Sequence, residues 1–136
     1  MNLAKKFLLP LIAALCVSAA FAAGKSRAPT FDNPNAYVFN VAEIKGKAKD
    51  NIRLVSEIFD EVASFKVYVY NEKLDEWLVW GVGTLKGYDD ADFVDTKSKK
   101  LKNYQWFAVE SVNNREYSYA VSKRHDDLYI TVSPSK

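Results

Sequence analysis

The residues of this chain best suited to chemistry are four aspartates in one short segment: Asp89, Asp90, Asp92 and Asp95. Calcium takes about six to eight hard oxygen ligands, and several aspartates of one loop commonly supply part of that set. The spacing does not match an EF-hand loop, because the central glycine and the glutamate at its far end are missing. Two interpretations stay open, a calcium site and a solvated loop whose like charges repel.

Four lysines follow this acidic segment directly, at Lys97, Lys99, Lys100 and Lys102. They could bind phosphate or an acidic polysaccharide, but a lysine ammonium is a mobile point charge with little geometric selectivity. The acidic and basic runs are therefore expected to pair with each other across a loop. Exposed ion pairs contribute only about 0.2–1 kcal/mol each, so that loop is expected to remain mobile.

Aromatic residues form a second candidate site, made of Tyr68, Tyr70 and Trp77. Val67 and Val69 alternate with the two tyrosines along a predicted strand and are expected to face the core. The tyrosines then lie on the opposite, wetter face. Exposed aromatic rings stack against sugars, so this face could bind carbohydrate.

The tryptophans have an alternative role in the core. Trp77 and Trp80 are an odd number of positions apart, so at most one of them shares a face with the tyrosines. Large aromatic side chains dominate burial in small domains, so we expect Trp80 and Trp106 to fill the core.

The sequence predicts no catalytic activity. Its one histidine, His125, lies in a charged turn beside Asp126, and adjacent side chains on an extended chain point apart. There is no Gly-x-Ser-x-Gly motif and no histidine pair for zinc. No cofactor is expected, apart from calcium in the alternative given above.

The N-terminal residues 1–22 have the pattern of a bacterial export signal. Lys5 and Lys6 precede an apolar stretch, 7–17, and the small residues Ala20 and Ala22 fit the specificity of signal peptidase. The apolar stretch is shorter than the roughly 20 residues that a membrane-spanning helix needs. The predicted location is therefore periplasmic or secreted, with no stable membrane insertion after cleavage.

Cys16 offers an alternative, attachment of a lipid, but Leu15 stands where lipoprotein processing requires a small residue. Cleavage after residue 22 removes this single cysteine, so packing alone must hold the fold. It also removes two lysines and lowers Lys plus Arg from 19 to 17, which equals the 17 Asp plus Glu. A neutral domain has no general electrostatic reason to bind nucleic acid or an anionic membrane.

The fold predicted for residues 36–136 is all-β, preceded by a flexible lead-in at 23–35. Period-two alternation recurs in about seven segments with short polar connections, which is typical of a single antiparallel β-sandwich, immunoglobulin-like or C2-like, or of a small barrel. The residues expected to face the core are Phe65, Val67, Val69, Val79, Phe107, Val109, Leu128, Ile130 and Val132.

Some segments allow more than one interpretation. Residues 52–58 fit a strand, which we favour, but the segment 50–62 also fits a short helix with an apolar stripe. Gly81 and Gly83 predict a bulge or a close backbone approach. Residues 88–102 are interpreted as a long polar connection.

These features predict a non-catalytic exported domain. We expect it to act as an interaction or adaptor protein, using a sheet face or edge to contact another envelope or extracellular protein. The alternative is a ligand-binding module, with carbohydrate on the aromatic residues or calcium in the acidic segment.

The export signal generates the first prediction. We expect N-terminal sequencing of exported protein to read from near Ala23, and that protein to remain soluble without detergent. A mature chain that begins at Cys16, or one that keeps Met1 in the membrane fraction, would contradict it.

Overall fold

The computed structural model describes residues 27–94 and 100–135, and these form two four-stranded β-sheets. The eight strands are β1 (Tyr37–Asn40), β2 (Ala48–Ser56), β3 (Ala63–Asn71), β4 (Glu76–Leu85), β5 (Ala91–Val94), β6 (Trp106–Ser111), β7 (Tyr117–Arg124) and β8 (Asp126–Pro134). Two single 3-10 turns, Val41–Glu43 and Leu101–Asn103, complete the regular structure. The all-β prediction is confirmed.

Several predicted features lie outside the described residues. They are the export signal at 1–22 with Cys16, and the charged positions Asp95, Lys97 and Lys99. Within the described ranges, no helix is long and apolar enough to cross a membrane.

The first sheet has the order β1-β6-β3-β4 and the second the order β5-β2-β8-β7. Each pair of neighbouring strands in the described chain is antiparallel except β2 and β8, which run parallel from Ile52 beside Leu128 to Ser56 beside Val132. A parallel pair needs a long connection, which strands β3 to β7 supply here. The alternation of apolar and polar residues within a strand does not indicate which distant strand it pairs with, so the sequence did not predict this parallel pair. The immunoglobulin-like or C2-like assignment stays a prediction.

The strand predicted for residues 52–58 is confirmed up to Ser56, where β2 ends. Ser56 interrupts the apolar alternation, yet it is buried. Its hydroxyl accepts a hydrogen bond from the backbone N–H of Ile58 at 3.2 Å, which offsets the cost of burying it.

One hydrophobic core contains side chains from both sheets. Eight of the nine residues predicted to face the core are buried in it, together with Trp80. Trp106 is buried too, but it lies outside this core, because it alternates in β6 with the inward-facing Phe107. The prediction that Trp106 fills the core was wrong. Val79 is the exception among the nine, since half of its surface is exposed (50%). The prediction for Val79 was wrong.

A β-bulge in β4 is the reason for this error. Val67 pairs with Gly81, but the next residue of β3, Tyr68, pairs with Val79, so Trp80 is an extra residue in β4. An extra residue shifts the alternation, so the side chains of the part of β4 before it point to the opposite face from the one expected. Trp80 therefore enters the core and Val79 faces outward.

Strand β5 lies inside the segment 88–102 that was predicted to be a connection. Asp92 pairs with Leu54 of β2, which places its side chain on the core side of the sheet. There its Oδ2 accepts a hydrogen bond from the backbone N–H of Thr84 at 2.8 Å. A carboxylate at an inward position interrupts the apolar alternation, which hid the strand.

Gly83 lies where β4 of the first sheet approaches the second sheet. A β-carbon added at this position would lie 2.6 Å from Leu54 Cδ1 and 3.5 Å from Val94 Cγ2. The absence of a side chain is therefore what permits this close approach.

The Gly83→Ala substitution is expected to destabilise the fold by about 1–3 kcal/mol, because the added methyl group overpacks the core against Leu54. Urea denaturation measures the loss. The control is Val82→Ala, which changes the neighbouring, 47% exposed residue of the same strand. Equal losses in the two variants would contradict the close approach.

Candidate functional site

The three predicted aromatic residues lie together on the outer side of the first sheet. Tyr70 pairs with Trp77 across β3 and β4, and their ring centroids are 5.3 Å apart in an edge-to-face arrangement. Tyr68 lies two residues before Tyr70 on the same side. We call this half-buried surface the aromatic face.

The segment before β1 covers part of the aromatic face. The ring centroid of Phe31 lies 4.9 Å from that of Tyr68 and 5.2 Å from that of Trp77. Trp77 Nε1 donates a hydrogen bond to the carbonyl oxygen of Thr30 at 2.9 Å. Sequence reasoning missed Phe31, because it lies in a stretch without periodicity.

Glu110 of β6 links the same segment to the sheet. Asn33 Nδ2 donates to Glu110 Oε1 at 2.6 Å, and the Tyr68 hydroxyl donates to Glu110 Oε2 at 2.5 Å. Burial, together with the adjacent carboxylate, raises the pKa of Tyr68 to about 12. Tyr68 is therefore a fixed, protonated donor at neutral pH.

Apolar side chains continue the aromatic face along β4. Val79 and Val82 both face outward and are 50% and 47% exposed. Both positions lie on the edge strand of the first sheet. The bulge at Trp80 thus creates an exposed apolar strip next to the aromatic rings.

A second tyrosine–carboxylate contact ties the loop after β2 to β7. The Tyr117 hydroxyl and Arg115 Nη1 both donate to Glu61 at 2.8 Å. Burial and this hydrogen bond raise the pKa of Tyr117 to about 12, and the same hydrogen bond, followed by the contact with Arg115, lowers the pKa of Glu61. These two hydrogen bonds hold the loop after β2 against the start of β7.

The acidic segment caps backbone groups at the end of β4. Asp90 Oδ2 accepts from the N–H of Lys86 at 2.8 Å, as Asp92 does from Thr84. Asp89 is exposed in a left-handed conformation, with φ at 62°. In the part of the chain that the structure describes, no group of three or more His, Cys, Asp or Glu side chains could hold a metal ion. Calcium binding stays a prediction.

A cleft of about 940 Å³ opens beside the β3–β4 turn, at the opposite end of β4 from the acidic segment. Its lysines come from four separate parts of the chain and are Lys47, Lys49, Lys73, Lys102 and Lys123. Tyr70 and Tyr104 also line it. Of the two described members of the predicted lysine run, Lys102 belongs to this lining and Lys100 does not. Sequence reasoning missed the cleft, because residues far apart in the chain form it. We call it the basic cleft.

No protein-family model matches this chain, and no curated protein or solved structure matches it. Its function therefore has to be argued from its own residues.

The pKa of Tyr68 generates a prediction on stability. Below pH 10 Tyr68 is protonated in both states, whereas above it the unfolded chain loses the proton first. The free energy of unfolding is expected to fall as pH rises from about 10 to about 12. Tyr68→Phe should lessen this fall without abolishing it, since Tyr117 behaves alike. Urea denaturation across this pH range measures the free energy of unfolding. If it fell equally with pH in the wild type and in Tyr68→Phe, the raised pKa of Tyr68 would be contradicted.

The acidic segment generates a prediction that separates capping from calcium binding. Asp92→Asn replaces a charged acceptor by a neutral one and is expected to cost about 1 kcal/mol without any metal. Asp89→Asn, a matched change at an exposed carboxylate, should cost much less. Thermal melting with a chelator measures both variants. A rise in melting temperature with millimolar calcium that both variants lose would instead support the calcium site.

Proposed function

We propose that this protein is an exported, non-catalytic β-sandwich of the bacterial cell envelope that acts as an interaction or adaptor domain through its aromatic face. The observation that supports this most is the position of Phe31 between Tyr68 and Trp77. A polypeptide side chain already occupies the candidate site. The site is therefore suited to a protein side chain rather than to a sugar ring.

The segment before β1, residues 27–35, is called the leading segment. Its contacts with the aromatic face define the chemistry that a partner would need. They comprise an aromatic ring against Tyr68 and Trp77, a backbone carbonyl that accepts from Trp77 Nε1, and a carboxamide that donates to Glu110. An extended peptide with an aromatic residue, followed two positions later by Asn or Gln, would reproduce all three. Such a peptide would bind by displacing Phe31 and its neighbours.

The apolar strip extends the surface available to a partner beyond the part that the leading segment covers. Val79 and Val82 are exposed on β4, where polar residues would be the usual choice for solubility. Aromatic residues surrounded by apolar contacts are typical of the centre of protein interfaces.

A peptide of residues 27–35 tests the proposed site. Added to the Phe31→Ala protein, this peptide should bind at least about tenfold more tightly than to the wild-type protein, whose site is occupied. Changes in tryptophan fluorescence measure the binding. The control peptide carries Phe31→Ala and should bind neither protein. Equal binding to both proteins, or none to the variant, would overturn the proposal.

Photo-crosslinking in cells tests the adaptor role. A crosslinking residue at position 82 is expected to capture one defined envelope protein, and the purified pair should lose affinity when Val79 is changed to Asp. Position 112 is the control, since Val112 is 58% exposed but lies outside the aromatic face. Identical products from both positions would contradict a specific interface.

Carbohydrate binding is the second candidate for the aromatic face. It is favoured by the adjacency of Tyr70 and Trp77, but their rings meet edge to face and Phe31 covers part of the surface. Binding of a neutral glycan on an array, lost in Trp77→Ala and unchanged in Val112→Ser, would favour this candidate over the adaptor role.

A further inference from the structure

We infer that the basic cleft is a binding site for an anionic oligosaccharide. It adjoins the aromatic face at Tyr70 but does not include Tyr68, Trp77 or Glu110, which hold the segment before β1. The cleft lies between the β1–β2, β3–β4 and β7–β8 connections and the segment 101–105. Three properties of its lining point to this class of ligand: its charge, its amides and its aromatic rings.

The charge of the lining is strongly positive, although the whole chain is nearly neutral. Five lysines face the cleft, against two carboxylates, Glu72 and Asp126. One of the two carboxylates is engaged in part, since Lys49 Nζ lies 3.6 Å from Asp126 Oδ2. Lysines gathered around a concave surface raise the local concentration of anions.

The described lining carries lysines only among its basic side chains, which favours a ligand with single, spaced negative charges over one with clustered phosphates. Among the described lining residues there is no arginine, whose planar fork binds phosphate in a bidentate manner. The lysines also come from four separate parts of the chain, which spreads their ammonium groups around the cleft. A chain of sugars with one carboxylate or sulfate per unit has a matching distribution of charge.

Carboxamides supply the groups that recognise hydroxyls. Asn71, Asn103 and Gln105 line the cleft. Gln105 Nε2 is buried and has no hydrogen-bond partner in the described structure. A buried donor without a partner is unfavourable. Because this atom has almost no accessible surface, the amides of Asn71 and Asn103 are the ones that a ligand in the cleft can reach.

Aromatic rings supply the remaining contact that sugars use. Tyr70 and Tyr104 both line the cleft, and Tyr104 is held edge-on against the buried Trp80 at a centroid distance of 5.7 Å. A ring fixed in this way offers apolar surface for the C–H groups of a sugar at little cost in side-chain entropy. The volume of about 940 Å³ lies within the range of small-ligand sites and suits a short oligosaccharide.

The test uses an array of anionic oligosaccharides, carrying uronate, sulfate or phosphate groups, each beside its neutral counterpart. Trigalacturonate and its fully methyl-esterified form are the sharpest pair, because they share one sugar backbone and esterification removes the negative charges. We expect one or more acidic members to bind, their neutral counterparts to bind at least about tenfold more weakly, and the affinity to fall with added salt. Calorimetry on the full mature protein measures these affinities.

Variants assign the binding to the cleft. Lys47→Gln with Lys102→Gln should weaken binding of the acidic sugar at least about tenfold. Lys45→Gln with Lys86→Gln makes the same change of charge at exposed lysines outside the lining and should have little effect. All four lysines are exposed, so both double variants should fold normally, which circular dichroism checks.

Four outcomes would overturn the inference. They are no binding of any acidic member, equal binding of acidic and neutral forms, equal losses in the two double variants, and competition by inorganic phosphate or a short DNA strand as strong as that by the sugar. The Phe31→Ala protein separates this test from that of the aromatic face, because it should bind the acidic sugar as the wild type does.

Discussion

The insertion of Trp80 into the core is the constraint on which the candidate surfaces depend. Its ring packs against Phe107 at 5.2 Å and Tyr104 at 5.7 Å, edge-on in both cases. An aromatic side chain buries about 150–250 Å², so this insertion contributes strongly to stability. It requires one extra residue in β4, and that residue turns Trp77 and Val79 outward to join Tyr70 on one surface.

The two ends of β4 use charge in opposite ways. At its end, Asp90 and Asp92 accept hydrogen bonds from Lys86 and Thr84, so carboxylates cover backbone groups on the open edge of the sheet. Edge strands need such cover, because uncovered edges pair with other chains. Near its start, lysines outnumber carboxylates around a concave surface. The small net charge of +2 for the whole chain hides this separation.

The fold could be predicted where alternation is uninterrupted, as in Phe65–Val69 and Leu128–Val132, because period two alone decides which side chains are buried. The prediction failed at Val79, because Gly81 and Gly83 indicated a bulge or a close approach but not that Trp80 is the extra residue. It also failed at Asp92, whose inward carboxylate accepts a hydrogen bond from a backbone group of another strand. The aromatic site was found because Tyr68 and Tyr70 alternate with core residues. Its cover by Phe31 and the basic cleft depend on contacts between distant segments, which local patterns do not encode.

The parallel pairing of β2 with β8 has a consequence for how the chain folds. β2 occupies an inner position of the second sheet, yet its partner β8 is the last strand described. The backbone hydrogen bonds along one edge of β2 cannot form until residues 126–134 are available, so folding is expected to begin in the β3–β4 hairpin and to end with the second sheet. Contacts between residues so distant in sequence slow folding, because a long loop must close first. A nascent chain that lacks β8 would therefore stay incompletely folded, whatever the stability of its first sheet.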